Sequence, residues 1–575
     1  MQHHLECDPR QTPKDGNINS HNDVHDVKNA DDKLAEEFGY KPVFKREFGY
    51  LSTFSFAVSI SGLFATTMTT FSYPLSSGGS AGVVWCWFIS GAGCMCLAVS
   101  SYNTFCVADE GLCFSILTVF CCRACIGLPH IRWLVRALSR FDLNILLMII
   151  GRYFTVSRLA PAEWVPSLSW ITGWLNLMGQ ITGVASAEYG SAQMLLAVVS
   201  MSLDYKYEIT TSMTVGVMAA LLLFCGFINS LSTYWMEKMT KSYVIFHMCV
   251  LLSCCIALLL KTEKKHTSEY VFTHIESETG WSPLGFSFLF GFLSVTWTMT
   301  DYDATAHITE EISEPEVKAP WAISMAMFFT YIAGFLFNIV LCYCMGDPKE
   351  ILDSPTIQPV AQIFINGLGK TGGIFYTFCG FIILQFVCFT AMQAAARTVF
   401  AFSRDGLIPY SKLWLKINRW TGTPLNAVWI TVFFCILINL IGLGSTTAIA
   451  GVFDVCAISL DWSYCIPIFC KLLYGKFEPG PWHMGKFSWW INIWGLIWTF
   501  FVSVIFVLPT VRPVTALNMN YAVAFLALLL VLAWIFWIVS GKRYYTGPVV
   551  ESLEDEITIS SNEDRERQNC KNSNN

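Results

Sequence analysis

The chain has 575 residues, of which 54% are hydrophobic and only 14% charged, with a formal net charge of -6 and a mean hydropathy of +0.49. Soluble domains carry about 25% charged residues, so this composition excludes an ordinary soluble fold and points to an all-α polytopic membrane protein. No basic surface suggests a nucleic-acid partner, and the 22 cysteines, in apolar runs such as Cys254-Cys255, lack metal-ligand spacing and read as small buried hydrophobes.

Residues 1–45 are polar and read as a disordered cytoplasmic N-tail; with no apolar h-region they are not a signal peptide. The first apolar segment, 51–73, is crowded with Ser and Thr and interrupted at Ser59-Ile60-Ser61-Gly62. Gly62 can free the backbone for a break, although small residues serve close helix packing equally well. Further apolar segments follow at 82–100, 168–200, 213–231, 242–260, 284–300, 321–345, 372–400, 425–444, 446–470, 489–509 and 519–540. Each is near the roughly 20 residues that a bilayer needs, and with the first they make about twelve transmembrane helices in a membrane domain over 46–540. Residues 541–575 form a short C-tail.

One stretch does not fit. Residues 101–151 hold Asp109-Glu110, five cysteines, Pro129, and Arg123, Arg132, Arg136 and Arg140. Their apolar runs, 114–122 and 145–150, are too short to span. The segment reads as a cytoplasmic insertion, because an extra span would invert every later loop. Lys238, Lys241, Lys318, Arg404, Lys412, Lys416, Arg419, Lys471, Lys476 and Lys486 would line one side, against Lys206, Lys349, Lys370 and Arg512 on the other. Only Lys261, Lys264 and Lys265 run against this bias, which puts both termini in the cytoplasm.

The segment 285–311 opens as an apolar helix and then runs into Trp297, Thr298, Thr300, Asp301, Tyr302 and Asp303, and on to His307 and Glu310-Glu311. A carboxylate near the bilayer centre costs about 2.5–3.5 kcal/mol on insertion scales, so such residues line pathways rather than face lipid. Either the helix is broken at 297–303 to face a small polar ligand, or it ends near Trp297 and the acids lie in a loop. The first and sixth spans are the two with interrupted, polar-rich middles. If spans one to five and six to ten are corresponding halves, a substrate belongs where the two broken helices cross. Glu188 in the third span and His247 in the fifth are candidates for a coupling ion, a proton above all, although His247 reads more readily as a hydrogen-bonded structural residue. Asp454 and Asp461 are similar cases, and Trp85, Trp87, Trp489, Trp490 and Trp494 read as interfacial or packing residues.

The run Thr296-Trp297-Thr298-Met299-Thr300-Asp301-Tyr302-Asp303-Ala304-Thr305-Ala306-His307-Ile308, with Glu310-Glu311 and Lys318-Ala319-Pro320-Trp321-Ala322-Ile323, resembles the sixth-helix signature of fungal amino-acid permeases. These belong to the amino acid–polyamine–organocation superfamily, and the likeness is nearest to the GABA and choline permease branch. Ser169 to Gln180, Ala396-Arg397 with Ser403 to Pro409, and Leu460 to Pro467 agree with it. The resemblance covers 45–100 and 152–540. It implies a LeuT-like five-plus-five inverted repeat with helices 1 and 6 broken, and secondary transport of a small amino acid or amine such as GABA. The expected substrate contacts are Ser59, Ile60, Ser61, Gly62, Trp297, Thr298, Thr300, Asp301, Tyr302 and Asp303. The coupling ion would be a proton, in the plasma or vacuolar membrane. No enzyme motif, cofactor or metal is expected; a choline or polyamine permease, a nutrient sensor and an inactive variant are the alternatives. Relatives join the second span to Tyr153-Phe154-Thr155 through a short segment that 101–151 replaces, as an unspliced intron or altered gene model would.

Overall fold

A computed structural model of the chain describes residues 48–105, 152–206, 208–312, 315–444, 446–474, 485–516 and 518–547. Among them no strand occurs, and ten helices are long and apolar enough to cross a membrane. The helices used below are α1 (Tyr50–Ser61), α2 (Leu63–Thr70), α3 (Ser72–Phe105), α4 (Arg152–Leu159), α5 (Val165–Ser202), α6 (Thr211–Asn229), α7 (Thr233–Lys261), α8 (Phe292–Thr298), α9 (Ala304–His307), α10 (Pro315–Cys344), α11 (Pro359–Arg404), α12 (Leu425–Asn439), α13 (Thr446–Tyr474), α14 (Phe487–Phe506) and α15 (Ala522–Phe536).

α5 is 38 residues long, but Asn176, Gln180 and Glu188 keep its hydropathy below that of a lipid-facing helix. The stretch Leu284–Thr298 is the shorter apolar half of an interrupted span. With these two added to the ten, twelve membrane-length segments appear in the expected order. The interruptions fall in the first, at Gly62, and in the sixth, after Thr298.

Burial ranks the helices. Of the apolar window in the first span 89% is buried and in Ile449–Tyr474 83%, against 11% in Ala522–Tyr544. The first and tenth spans therefore lie inside the bundle, whereas α15 presents Leu528, Val531 and Leu532 outward. The central layer forms around α5, which packs along α11 and α13. Its small residues allow this approach: a Cβ on Gly179 would stand 2.5 Å from Leu460 Cγ.

The second span begins ten residues earlier than its hydropathy indicates. α3 starts at Ser72 and kinks at Gly79 (φ 63°), where a loop crosses it and Ala81 N–H donates to the carbonyl of His274 (3.1 Å). Ser77 and Ser80 need no apolar character because protein, not lipid, surrounds them. At its other end α3 continues through Phe105, so the first five residues of the expected insertion are helical; 106–151 lie outside the described residues, as do the N-tail 1–47 and the C-tail from 548.

Candidate functional site

α1 is initiated at Gly49, whose N–H donates to Ser52 Oγ (2.8 Å) while Thr53 Oγ1 donates back to its carbonyl (2.7 Å). The helix stops where Gly62 enters the left-handed region (φ 46°, ψ 36°). α2 then restarts, so the break is a single residue. A Cβ at Gly62 would lie 2.1 Å from Val387 Cγ2, which leaves glycine alone able to bring α1 this close to α11. The hydroxyls around the break are mostly spent locally: Ser59 Oγ on the Phe56 carbonyl (2.8 Å) and Thr66 Oγ1 on the Ser61 carbonyl (2.8 Å). Ser61 Oγ pairs with Thr330 Oγ1 of α10 (2.9 Å).

The sixth span breaks over Met299–Asp303. α8 ends at Thr298, and Asp301 takes the left-handed conformation (φ 57°), uncommon for a residue with a side chain. The acids are inside the bundle, not in a loop. Gln180 Nε2 donates to Asp301 Oδ1 (2.5 Å). Asp303 receives Tyr464 O–H (2.5 Å) and Asn176 Nδ2 (3.3 Å), with His307 Nε2 3.3 Å away. Tyr302 O–H pairs with Ser101 Oγ (2.9 Å), and Thr70 Oγ1 with Ser294 Oγ (2.7 Å) ties the two broken helices together.

A cavity of about 10 Å³ lies between the breaks, lined by Ala57, Ile60, Ser61, Thr300, Tyr302, Ile323, Ala326 and Met327. Thr300 Oγ1 is buried there without a hydrogen-bond partner. Such a volume holds roughly one water, so the pathway is shut around it. Of the expected contacts, Ile60, Ser61, Thr300 and Tyr302 meet at this cavity. The others do not line it: Ser59 turns to its own helix, Gly62 faces Val387, Thr298 Oγ1 caps Ser294 (2.8 Å), and Trp297 donates to Ser186 Oγ (3.2 Å) with its ring on Phe453. Asp301 and Asp303 stand behind it, holding the break to α5 and α13.

At the end where α1 begins, the way is closed. Phe48 N–H donates to the Glu311 carbonyl (3.0 Å) in an isolated bridge with Ile312. The buried Glu311 carboxylate receives Arg397 Nε (2.6 Å) and Gln393 Nε2 (2.9 Å) from α11. At the other end, where α2 passes into α3, a cavity of about 260 Å³ is lined by Ser72, Tyr73, Ser76, Ser77, Glu278, Thr279, Phe290, Thr510 and Val511.

The coupling candidates lie apart from the cavity and from each other. Glu188 faces α11, where Gln385 Nε2 donates to Oε2 (2.8 Å), and the thiols of Cys225 and Cys388 stand beside it. His247 accepts the N–H of Phe64, in the first turn of α2, at Nε2 (3.2 Å) and pairs through Nδ1 with Tyr243 O–H (3.2 Å). The amide of Gly62 is likewise engaged, donating to the Val58 carbonyl (3.1 Å). A break in a helix can leave such amides without a partner; here both have one.

Sequence reasoning missed Asn176, Gln180 and Tyr464, the polar second layer of the site, and the Glu311–Arg397 pair. The first two carried a signal: four residues apart inside an apolar span, they share one helix face.

The family model for "Amino acid permease" matches residues 151–532. An uncharacterised amino-acid permease of Schizosaccharomyces pombe is 51% identical over 91% of this chain and 90% of its own length. Amino-acid permease 2 of Neurospora crassa is 44% identical over 94% and 93%, and amino-acid permease BAT1 of Arabidopsis thaliana 27% over 90% and 96%. With two interrupted helices meeting at a buried cavity in a multi-pass bundle, the chain belongs to the amino-acid permease family and is a membrane transporter of amino acids, not an enzyme.

Proposed function

We propose that this permease carries a small amino acid or related amine such as 4-aminobutyrate by proton symport, binding it between the two helix breaks. The observation that carries this reading is the cavity itself, where both interrupted helices contribute and the Thr300 hydroxyl is buried unpaired. A buried hydroxyl without a partner costs about 1–3 kcal/mol, and a substrate carboxylate or ammonium would satisfy it. Ser59, Gly62, Trp297, Thr298, Asp301 and Asp303 then act by shaping the breaks around the substrate. The ionisable side chains Glu188 and His247 inside the bundle support protons as the driving ion. The Lys and Arg bias supports cytoplasmic termini, in the plasma or vacuolar membrane.

Purified protein in sealed vesicles, given a radiolabelled panel of the common amino acids and 4-aminobutyrate, tests this reading. Uptake should require an inward proton gradient and collapse with a protonophore. Strict sodium dependence without any pH response refutes the coupling, and preference for choline or polyamines refutes the substrate class. A second reading, an inactive chain, has one feature in its favour: the family match begins at residue 151, as the atypical segment ends.

A further inference from the structure

The two engaged amides at the first break point to how a proton and a substrate would be linked. An N–H of the backbone can only donate, so His247 Nε2, which receives Phe64 N–H, must present its lone pair. In this conformation the imidazole is neutral, with its hydrogen on Nδ1 directed at Tyr243 O–H. A proton on Nε2 and the bond to Phe64 exclude each other.

We infer that His247 is the coupling residue, and that it works by exchanging its bond to Phe64 for a shared contact with the carboxylate of the substrate; this rests on the proton-symport reading above. Once Nε2 takes up a proton, two donors confront each other, the Nε2–H and the first-turn amide of α2. A carboxylate accepting from both removes the conflict, and the helix N-terminus adds its partial positive charge. Without the proton the amide is already satisfied, and the Nε2 lone pair repels an anion. Proton and carboxylate therefore bind together or not at all, which is the linkage that a one-to-one symporter needs. Neither His247 nor Phe64 lines the closed cavity, but Ser61, three residues before Phe64, does, so the contact requires the cavity to open toward the first turn of α2.

The surroundings agree. The helices packed on α7 are α1, α10 and α11. α1 and α2 contain no charged residue, and on α10 the charged residues are Glu316 and Lys318, both in its first turn and far along the chain from the Thr330 level that meets the break. On α11 the charged residues are Lys370, which pairs with Asp204, Arg397, held by Glu311, and Arg404, beside Asp405. On α7 itself Glu237 pairs with Lys241, Lys238 lies over Tyr234 and Lys261 is at the C-terminus, which leaves Tyr243 as the titratable neighbour in contact. An imidazolium here thus meets no resident anion, and the arriving carboxylate would supply one.

The test is the pH dependence of Kd for radiolabelled alanine and 4-aminobutyrate on the purified full chain, beside uptake in vesicles. In the unaltered protein affinity should tighten about tenfold per unit fall in pH while His247 is neutral. His247→Gln keeps an acceptor for Phe64 but cannot take a proton; its affinity should be weak and flat with pH, and a proton gradient should no longer drive accumulation. His247→Gln with the pH profile and accumulation of the unaltered protein overturns the assignment. Should that variant fail to fold, Tyr243→Phe decides: losing the Nδ1 partner of the imidazolium moves the profile to lower pH, and an unmoved profile counts against His247. Absence of proton-driven uptake in the unaltered protein removes the symport reading and this inference together. Proton-driven uptake that survives in His247→Gln removes the inference alone.

Discussion

Gly62 and Thr300 test the site from opposite directions. Valine at 62 meets two obstacles at once: a left-handed backbone, which costs an L-residue about 1–2 kcal/mol, and Val387 Cγ2, 2.1 Å from the new Cβ. Gly62→Val should abolish uptake while leaving the protein in the membrane, as surface labelling beside a transport assay would show; normal uptake rules out this placement of the break. Thr300→Val removes a hydroxyl that the closed protein does not satisfy. It should hold or raise the melting temperature yet weaken substrate affinity by roughly tenfold, the worth of one hydrogen bond. A variant that loses stability and keeps its affinity would show that the hydroxyl serves the fold instead.

Single elements differ in how plainly the sequence announces them. α6, α7 and α12 were readable from hydropathy alone, because lipid faces much of each surface. α3 was read ten residues short, since its Ser- and Gly-rich start lies inside protein and escapes the lipid's demand for apolar side chains. Half of the cavity was legible, in Ile60, Ser61, Thr300 and Tyr302, through Ser, Gly and Asp where an apolar run was due. Ala57, Ile323, Ala326 and Met327 gave no local sign, because nothing but tertiary packing distinguishes them from other buried apolar residues. Glu311 was visible as part of an acidic pair, but its partner Arg397 lies 86 positions away. Breaking a buried ion pair costs about 3–5 kcal/mol by leaving one charge uncompensated. Glu311→Gln should therefore loosen the closure at Phe48–Ile312, with faster hydrogen exchange at residues 48–61. Unchanged exchange there would mean that the bridge and the apolar contacts of Phe48 close this end without the charge pair.

For the whole molecule the question is what residues 101–151 do to it. Loop-closure entropy grows only logarithmically, about 0.6 kcal/mol per doubling of length, so the bundle should tolerate the segment. Its neighbourhood is less forgiving. Ser101 bonds Tyr302 at the second break, and α4, which follows the segment, packs on α5 and α13. The chain as written should reach the membrane but transport poorly, and a short family-like junction in place of 101–151 should restore uptake with unchanged substrate preference. Equal rates from both chains would make the segment a tolerated insertion.

The small volume between the breaks also sets a kinetic rule. Room for about one water cannot admit an amino acid, so binding waits for a conformation other than this one. The association rate should then rise with substrate concentration only until it meets the frequency at which the bundle opens, and level off there. Apparent affinity is diluted by the fraction of time spent open. Mutations that merely ease opening, far from any substrate atom, will thus pass for gains in recognition unless rates are measured beside equilibria.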